Sequence, residues 1–146
     1  MIRYFYETNF KLKIKNKRLI SRWIQTIAKK EGKKVNYLNY IFCNDQYLLK
    51  LNLKFLKHEN YTDVITFGYS SNKFSIYGDS FISVERLVEN AFMWKQDVQI
   101  ELKRVLVHSL LHLLGYKDKT KSQKSIMRRK ENFYLNLINN NLCITT

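Results

Sequence analysis

The chain has 146 residues, with 26 Lys and Arg against 12 Asp and Glu and a formal charge of +14. A chain of this length is expected to form one domain, residues 1–146, burying ~68–70% of the surface it exposes when unfolded. Its apolar runs fall short of the ~18 residues that cross a bilayer, and the opening Met-Ile-Arg-Tyr-Phe-Tyr-Glu lacks the basic, apolar and small-residue order of a secretion signal, so a cytoplasmic protein without a membrane partner is expected. The excess of positive charge points to polyanionic partners, above all nucleic acid or the ribosome. A Lys-, Asn- and Ile-rich chain without Pro has a second explanation, the drift of an A/T-rich genome toward lysine. Cys43 and Cys143 have no close cysteine partner, which suggests reduced thiols rather than a disulfide framework or a thiolate zinc knuckle.

In chain order, Ile2 to Glu7 alternates aromatic and polar residues and predicts a strand. From Lys17 to Gly32, Leu19, Ile20, Trp23, Ile24 and Ile27 follow helical spacing, with Gly32 as the stop. Val35 to Cys43 is β-branched and aromatic, a second strand. Asn44 is placed to cap a helix from Asp45 to about His58, whose Leu48, Leu49, Leu51, Leu53, Phe55 and Leu56 form a broad face expected in the core. Asp63 to Tyr69 and Ser75 to Val84 predict two more strands, and their short connection suggests an antiparallel pair. A helix from about Val84 to Lys95 precedes a long one, Asp97 to Leu114, of ~27 Å at 1.5 Å per residue. Apolar residues almost encircle this long helix, as expected of a central, buried element. Thr120 and Gln123 have capping-box spacing and open a last helix to about Leu137, and Asn139 to Thr146 is expected to fray. The pattern predicts an α+β fold, a four-stranded sheet with surrounding helices whose buried central helix carries the chemistry.

That chemistry is concentrated in His108-Ser-Leu-Leu-His112-Leu-Leu-Gly115-Tyr-Lys-Asp118. Residues at i and i+4 share a helix face, so His108 and His112 can point at one cation. Gly115 supplies the residue type that ends a helix in the left-handed region, and Asp118 follows with a carboxylate. Two nitrogens and one carboxylate leave a fourth position of a tetrahedral ion open, the mark of a catalytic rather than a structural site. The alternative is a half-buried histidine couple that binds nothing. Against it stands the scarcity of histidine: of three in the chain, two share this face. The spacing is that of a zinc protease, yet Ser109 stands where such enzymes carry the Glu base. Phosphodiester cleavage remains open to the same metal chemistry.

The run from His108 to Asp118 resembles the signature of the YbeY endoribonuclease family, usually His-Gly-x-Leu-His-Leu-x-Gly-Tyr-Asp-His. Leu51-Asn52 with Thr62-Asp63-Val64-Ile65-Thr66-Phe67 is similar to the family's Leu-Asn and Thr-Asp-Val-Leu-Ser-Phe blocks, and Gly78-Asp79-Ser80-Phe81-Ile82-Ser83 to its Gly-Asp-Ile strand, in the family's order. The resemblance implies a zincin-like fold and a metal-dependent, single-strand-specific endoribonuclease of ribosomal RNA maturation and ribosome quality control. It implies one divalent metal ion, usually zinc, and as partners single-stranded or ribosomal RNA and the ribosome or its proteins, with no DNA. His108 and His112 inherit metal-ligand roles, and Asp118 falls where the family has its third histidine.

Around this centre several residues carry two readings each. Leu56 occupies the position of a family arginine thought to bind RNA phosphate. Lys57 as a phosphate contact and His58 as a catalytic proton shuttle are candidates to replace it, while His58 also fits an ordinary residue at a helix C-terminus. Asp79 is either a strand-end acid or a support that orients a ligating histidine. Asp63 fits a structural acid at the start of a strand. Glu101, two turns before His108, either backs the site or is an exposed acid near a helix start. Lys117, Lys119 and Lys121, with Arg128, Arg129 and Lys130 beyond them, form either a solvated face or a phosphate-binding rim. The functional alternatives are a non-catalytic ribosome-assembly factor with a structural metal, and a metalloprotease or other metal hydrolase, which Ser109 disfavours.

Overall fold

The computed structural model describes residues 1–10, 12–56, 63–69 and 72–140. Its elements run β1 (Ile2–Glu7), α1 (Lys17–Lys30), β2 (Lys34–Cys43), α2 (Asp45–Leu51), a π-helical turn (Asn52–Leu56), β3 (Val64–Gly68), β4 (Ser75–Ser83), α3 (Val84–Met93), α4 (Val98–Leu113) and α5 (Lys121–Asn139). The strands form one sheet in the order β1-β2-β4-β3. The β1–β2 and β2–β4 pairs are parallel, and β3 runs antiparallel to β4, as its short connection predicts.

Burial alternates along β4, because neighbouring strand residues point to opposite faces. Ile76, Gly78, Ser80 and Ile82 of β4 share one face with Leu38, Tyr40 and Phe42 of β2, and this face carries the main core with α1, α3, α4 and α5. On the other face, α2 covers a smaller cluster around Cys43, Leu48 and Ile65. Burial there, with Asp45 and Glu7 adding, pushes the Cys43 thiol up to about 12, so it is an inert packing group. Cys143 lies outside the described residues.

Helix α4 is the central element. It touches α1, α3, α5, β3 and β4, and Leu102, Val105, Leu106, Val107, Leu110 and Leu111 are buried along it. Each such side chain contributes ~1.5–3 kcal/mol relative to exposure. The polar atoms that come with this core are paired. Tyr40 donates its hydroxyl to the Leu106 carbonyl at 3.0 Å, and Trp23 Nε1 donates to the Tyr134 carbonyl at 2.8 Å. Near its end α4 comes very close to the sheet. Gly68 and Gly78 are register partners, and a Cβ on Gly78 would stand 2.8 Å from a Leu113 methyl and 3.2 Å from the Phe67 carbonyl. The missing side chains make the seat for Leu113.

The helix ends follow the sequence closely. Asn44, Ser83, Asp97 and Thr120 each cap a helix through the side chain, and Gln123 completes a capping box with Thr120. Gly32 and Gly115 take the left-handed conformation after α1 and α4, at φ 82° and 107°. The expected long second helix is different: α-helical winding stops at Leu51 and widens into the π turn. With that change Leu53 and Phe55 leave the buried face and are 45% and 56% exposed, while Leu48 is buried with Leu49 and Leu51 half-buried beside it and the Leu56 side chain lies outside what is described. Lys57 and His58 lie outside the described residues. So does most of the tail expected to fray, although Asn139 still belongs to α5. Among the described residues no helix is long and apolar enough to cross a membrane.

The glycine seat yields a direct test. Gly78→Val puts methyl groups where Leu113 and the Phe67 carbonyl already stand, and overpacking of this kind costs ~1–3 kcal/mol. The expected result is a lower urea midpoint at unchanged slope. An unchanged midpoint would mean that α4 is not held this close to the sheet.

Candidate metal centre

His108 and His112 stand one turn apart on the last two turns of α4, on a half-buried stripe of an otherwise buried helix. Gly115 ends the helix with a paired closure: its N–H reaches the His112 carbonyl and the Tyr116 N–H the Leu111 carbonyl, both at 3.0 Å. This is the six-to-one and five-to-two pattern of a Schellman stop. The closure turns the Tyr116 carbonyl onto His112, 3.0 Å from Nδ1. Asp118 follows two residues later and points back at both rings. Its Oδ2 lies 3.3 Å from His108 Nε2 and 3.5 Å from His112 Nε2, and the two Nε2 atoms are 3.0 Å apart.

The partners of the other ring nitrogens define what these atoms are. His108 Nδ1 lies 2.7 Å from Glu131 Oε2 and His112 Nδ1 faces the Tyr116 carbonyl. Both partners are acceptors, so each neutral ring carries its hydrogen on Nδ1 and turns an Nε2 lone pair inward. Two lone pairs and a carboxylate oxygen therefore converge. Ligand atoms around a tetrahedral ion at ~2.0–2.2 Å stand ~3.3–3.6 Å apart, and the triangle of 3.0, 3.3 and 3.5 Å is close to that. Among the described residues, His108, His112 and Asp118 form the group of side chains that could hold a metal ion. Their donor set fits a single divalent cation.

The field at the site favours positive charge. Burial works against the charged form of His108, but the hydrogen bond and charge of Glu131, with Asp118 and Asp63, outweigh it and hold its pKa above the usual imidazole value. His112 moves the other way, lowered by burial and then by His108, against the pull of Asp118. Glu131 is itself buried. Burial raises its pKa, yet the bond to His108 and the bond and charges around it, Arg104 at 2.9 Å among them, bring it below the usual carboxylate range. It is thus an ionised acceptor that fixes one ligand ring, a carboxylate–histidine arrangement.

Glu131 was not foreseen from the histidine motif, since it lies on α5. A signal was present. Met127, Glu131, Tyr134, Leu135 and Ile138 share the buried face of that helix, and an acid within an apolar stripe needs a partner. A second carboxylate holds the loop in place: Glu31, at the end of α1, accepts from the hydroxyls of Tyr116, at 2.6 Å, and Tyr134, and from Lys130 at 3.0 Å.

The remaining candidates are distributed as follows. Glu101 is buried rather than exposed and lines a cleft with Asp63, Arg104, His108 and Glu131. Burial first, then Asp63 and Glu131, raise its pKa against the opposing pull of Arg104 and Arg128. Asp79 does not reach the centre. It sits on the sheet face opposite Ser80, where Asn39 donates to its carboxylate and Tyr69 does the same, both at 3.0 Å; the strand alternation that turns Ser80 toward α4 turns Asp79 away. Ser109 faces the sheet, donating to Ser80 at 2.6 Å and lying 3.1 Å from the Thr66 hydroxyl, so that position carries no base toward the triad. Lys117, Lys119 and Lys121 are exposed around Asp118 and at the start of α5. Arg128 lines the cleft, whereas Lys130 is committed to Glu31.

Residues 4–139 match the family described as Endoribonuclease YbeY. A protein of that name from Karelsulcia muelleri is 48% identical over 135 residues, covering 92% of this chain and 94% of the relative. One from Cytophaga hutchinsonii is 48% identical over 134 residues with the same shares, 92% and 94%. One from Flavobacterium psychrophilum is 42% identical, covering 94% of this chain and 96% of its own length. The solution structure of TM1509 from Thermotoga maritima superposes with a TM-score of 0.65 at 27% identity, over 94% of this chain and 89% of the other. Matched along nearly its whole length, the chain belongs to the Endoribonuclease YbeY family.

Proposed function

We propose that this protein is a metal-dependent endoribonuclease that cuts single-stranded RNA in the cytoplasm, in ribosomal RNA maturation and ribosome quality control, and that residues 1–146 act as one catalytic domain. The observation that carries the reading is the convergence of His108 Nε2, His112 Nε2 and Asp118 Oδ2 in a chain of this family. A divalent ion held there, zinc in the first instance given two imidazoles in the set, would polarise a phosphoryl oxygen and lower the pKa of water toward ~7.

The protein's own groups prepare the site. Glu131 and the Tyr116 carbonyl hold the two imidazoles with Nε2 inward, and Asp118 adds the negative charge that a third imidazole would lack. Lys117, Lys119 and Lys121 border the loop as exposed cations and would meet the phosphate backbone, making affinity salt-dependent. At the usual arginine position stands Leu56, and Lys57 and His58 are the proposed replacements, as phosphate contact and proton donor. That same Leu56 favours a second reading, a non-catalytic assembly factor with a structural metal.

Three outcomes are expected. Wild-type protein purified without chelator should carry about one divalent transition-metal ion per chain, and the double variant His108→Ala, His112→Ala should carry almost none by elemental analysis; equal content in both would remove the metal centre. Single-stranded RNA should be cleaved by wild type, spared on chelation, cleaved again on metal add-back and spared by His112→Ala. Protein that keeps its metal and binds RNA without cutting it would instead be the assembly factor. Glu131→Gln keeps an acceptor for His108 but removes its charge, and metal affinity should fall ~10–100-fold in competition with a chromophoric chelator. Unaltered affinity would show that Glu131 does not support the ligand.

A further inference from the structure

His108 is not only a member of the triad. It also lines a cleft of about 430 Å³ that continues past Glu101, Arg104 and Glu131 to Trp94 and Arg128, a volume within the ~300–1,000 Å³ of small-ligand sites. We infer that this cleft is a nucleobase subsite, in which an unpaired base next to the scissile phosphate stacks on the indole of Trp94. The inference rests on the endoribonuclease reading and adds to it where the substrate's base is held.

Three observations carry it. Trp94 is 69% exposed, which is a costly state for the largest apolar side chain, and the residue lines a polar cleft. The chain's other tryptophan, Trp23, is fully buried with its Nε1 paired. Second, the exposed ring is presented from a fixed turn. Lys95 adopts φ 53° just beyond α3, its N–H reaches the Phe92 carbonyl at 3.2 Å, the Gln96 N–H reaches Ala91 at 2.9 Å and the Trp94 N–H reaches Asn90 at 3.0 Å. This closure leaves the backbone that carries the indole little freedom, so little order is lost when a partner stacks on it.

Third, the charge of the cleft selects the part of a nucleotide that can enter. Asp63, Glu101 and Glu131 line it against Arg104 and Arg128, and Arg104 is committed to Glu131. Such a lining does not favour a phosphate, whereas a neutral base with a π face meets an aromatic platform and polar groups for its edge. The phosphate then stays at the triad, beside the exposed lysines. A base held in a duplex has both faces covered and cannot stack here, so the cleft discriminates for single strands by geometry.

The test uses the full chain loaded with metal and a short single-stranded oligoribonucleotide. Because Trp23 is buried, an RNA-dependent change in tryptophan emission reports Trp94. Saturable quenching by the single strand and none by the same sequence as a duplex are expected. Trp94→Ala should abolish the response and raise KM for cleavage ~10-fold with a smaller effect on kcat and no change in metal content, and Trp94→Phe should recover most of the KM. If wild type cleaves the RNA in a chelator-sensitive way while emission is unmoved and Trp94→Ala keeps the wild-type KM, the subsite is wrong and the nuclease reading stands; the exposed Phe92–Trp94 tip would then be a contact for another protein. If wild type neither cleaves RNA nor responds to it in emission, both readings fall.

Discussion

Two imidazole lone pairs and a carboxylate oxygen facing one another across 3.0 to 3.5 Å repel unless a positive charge lies between them. Much of this structure serves to keep that arrangement from relaxing. The rings cannot rotate freely, because each Nδ1 is tied to an acceptor, Glu131 for His108 and the Tyr116 carbonyl for His112. The helix beneath them cannot slide, because its buried side chains fill the core and Leu113 is seated over paired glycines. The loop that delivers Asp118 is held from outside by Glu31, which gathers Tyr116, Tyr134 and Lys130 from two elements. Core packing thus places the imidazoles, and part-buried hydrogen bonds choose their tautomers.

What the sequence made legible follows from how local each signal is. The i, i+4 pair, the glycine stop and the acid behind it occupy eleven consecutive residues, and the structure brings all three donors together. Caps at Asn44 and Thr120 are local too, as is the antiparallel β3–β4 pair. Glu131 is not local: 23 residues separate it from His108, and only the contact of α5 with α4 makes it a partner. For Asp79, open between a strand-end acid and a support for a histidine, the deciding signal is strand alternation. Alternation along β4 puts it on the face away from α4, and the neighbour facing α4 is Ser80. The π turn after Leu51 escaped because apolar periodicity does not distinguish a helix that continues from one that widens.

Charge has two scales here that point in opposite directions. The chain as a whole carries +14, yet the groups that raise the pKa of His108 are Glu131, Asp118 and Asp63, and Glu101 lies buried in the adjoining cleft. A uniformly basic surface would draw RNA without distinguishing its parts. A negative centre inside a basic rim would separate them: the exposed lysines suit phosphates, and the pocket suits a cation and, in the proposed subsite, a neutral base beside it.

Asp118 sharpens that separation. A neutral third imidazole would leave the full charge of a divalent ion to act on its substrate, whereas a carboxylate cancels part of it and makes the ion a weaker Lewis acid. The same negative charge strengthens attraction between site and cation, so the substitution trades polarising power for retention and moves preference toward harder ions. Glu131 acts in the same sense through His108, since an ionised carboxylate on Nδ1–H makes Nε2 a stronger donor. With both acids acting on one ion, such a site would hold a metal firmly and activate it less. In the proposed nuclease, positioning by the rim and the cleft would then have more of the catalytic work to do than in a site of three neutral ligands.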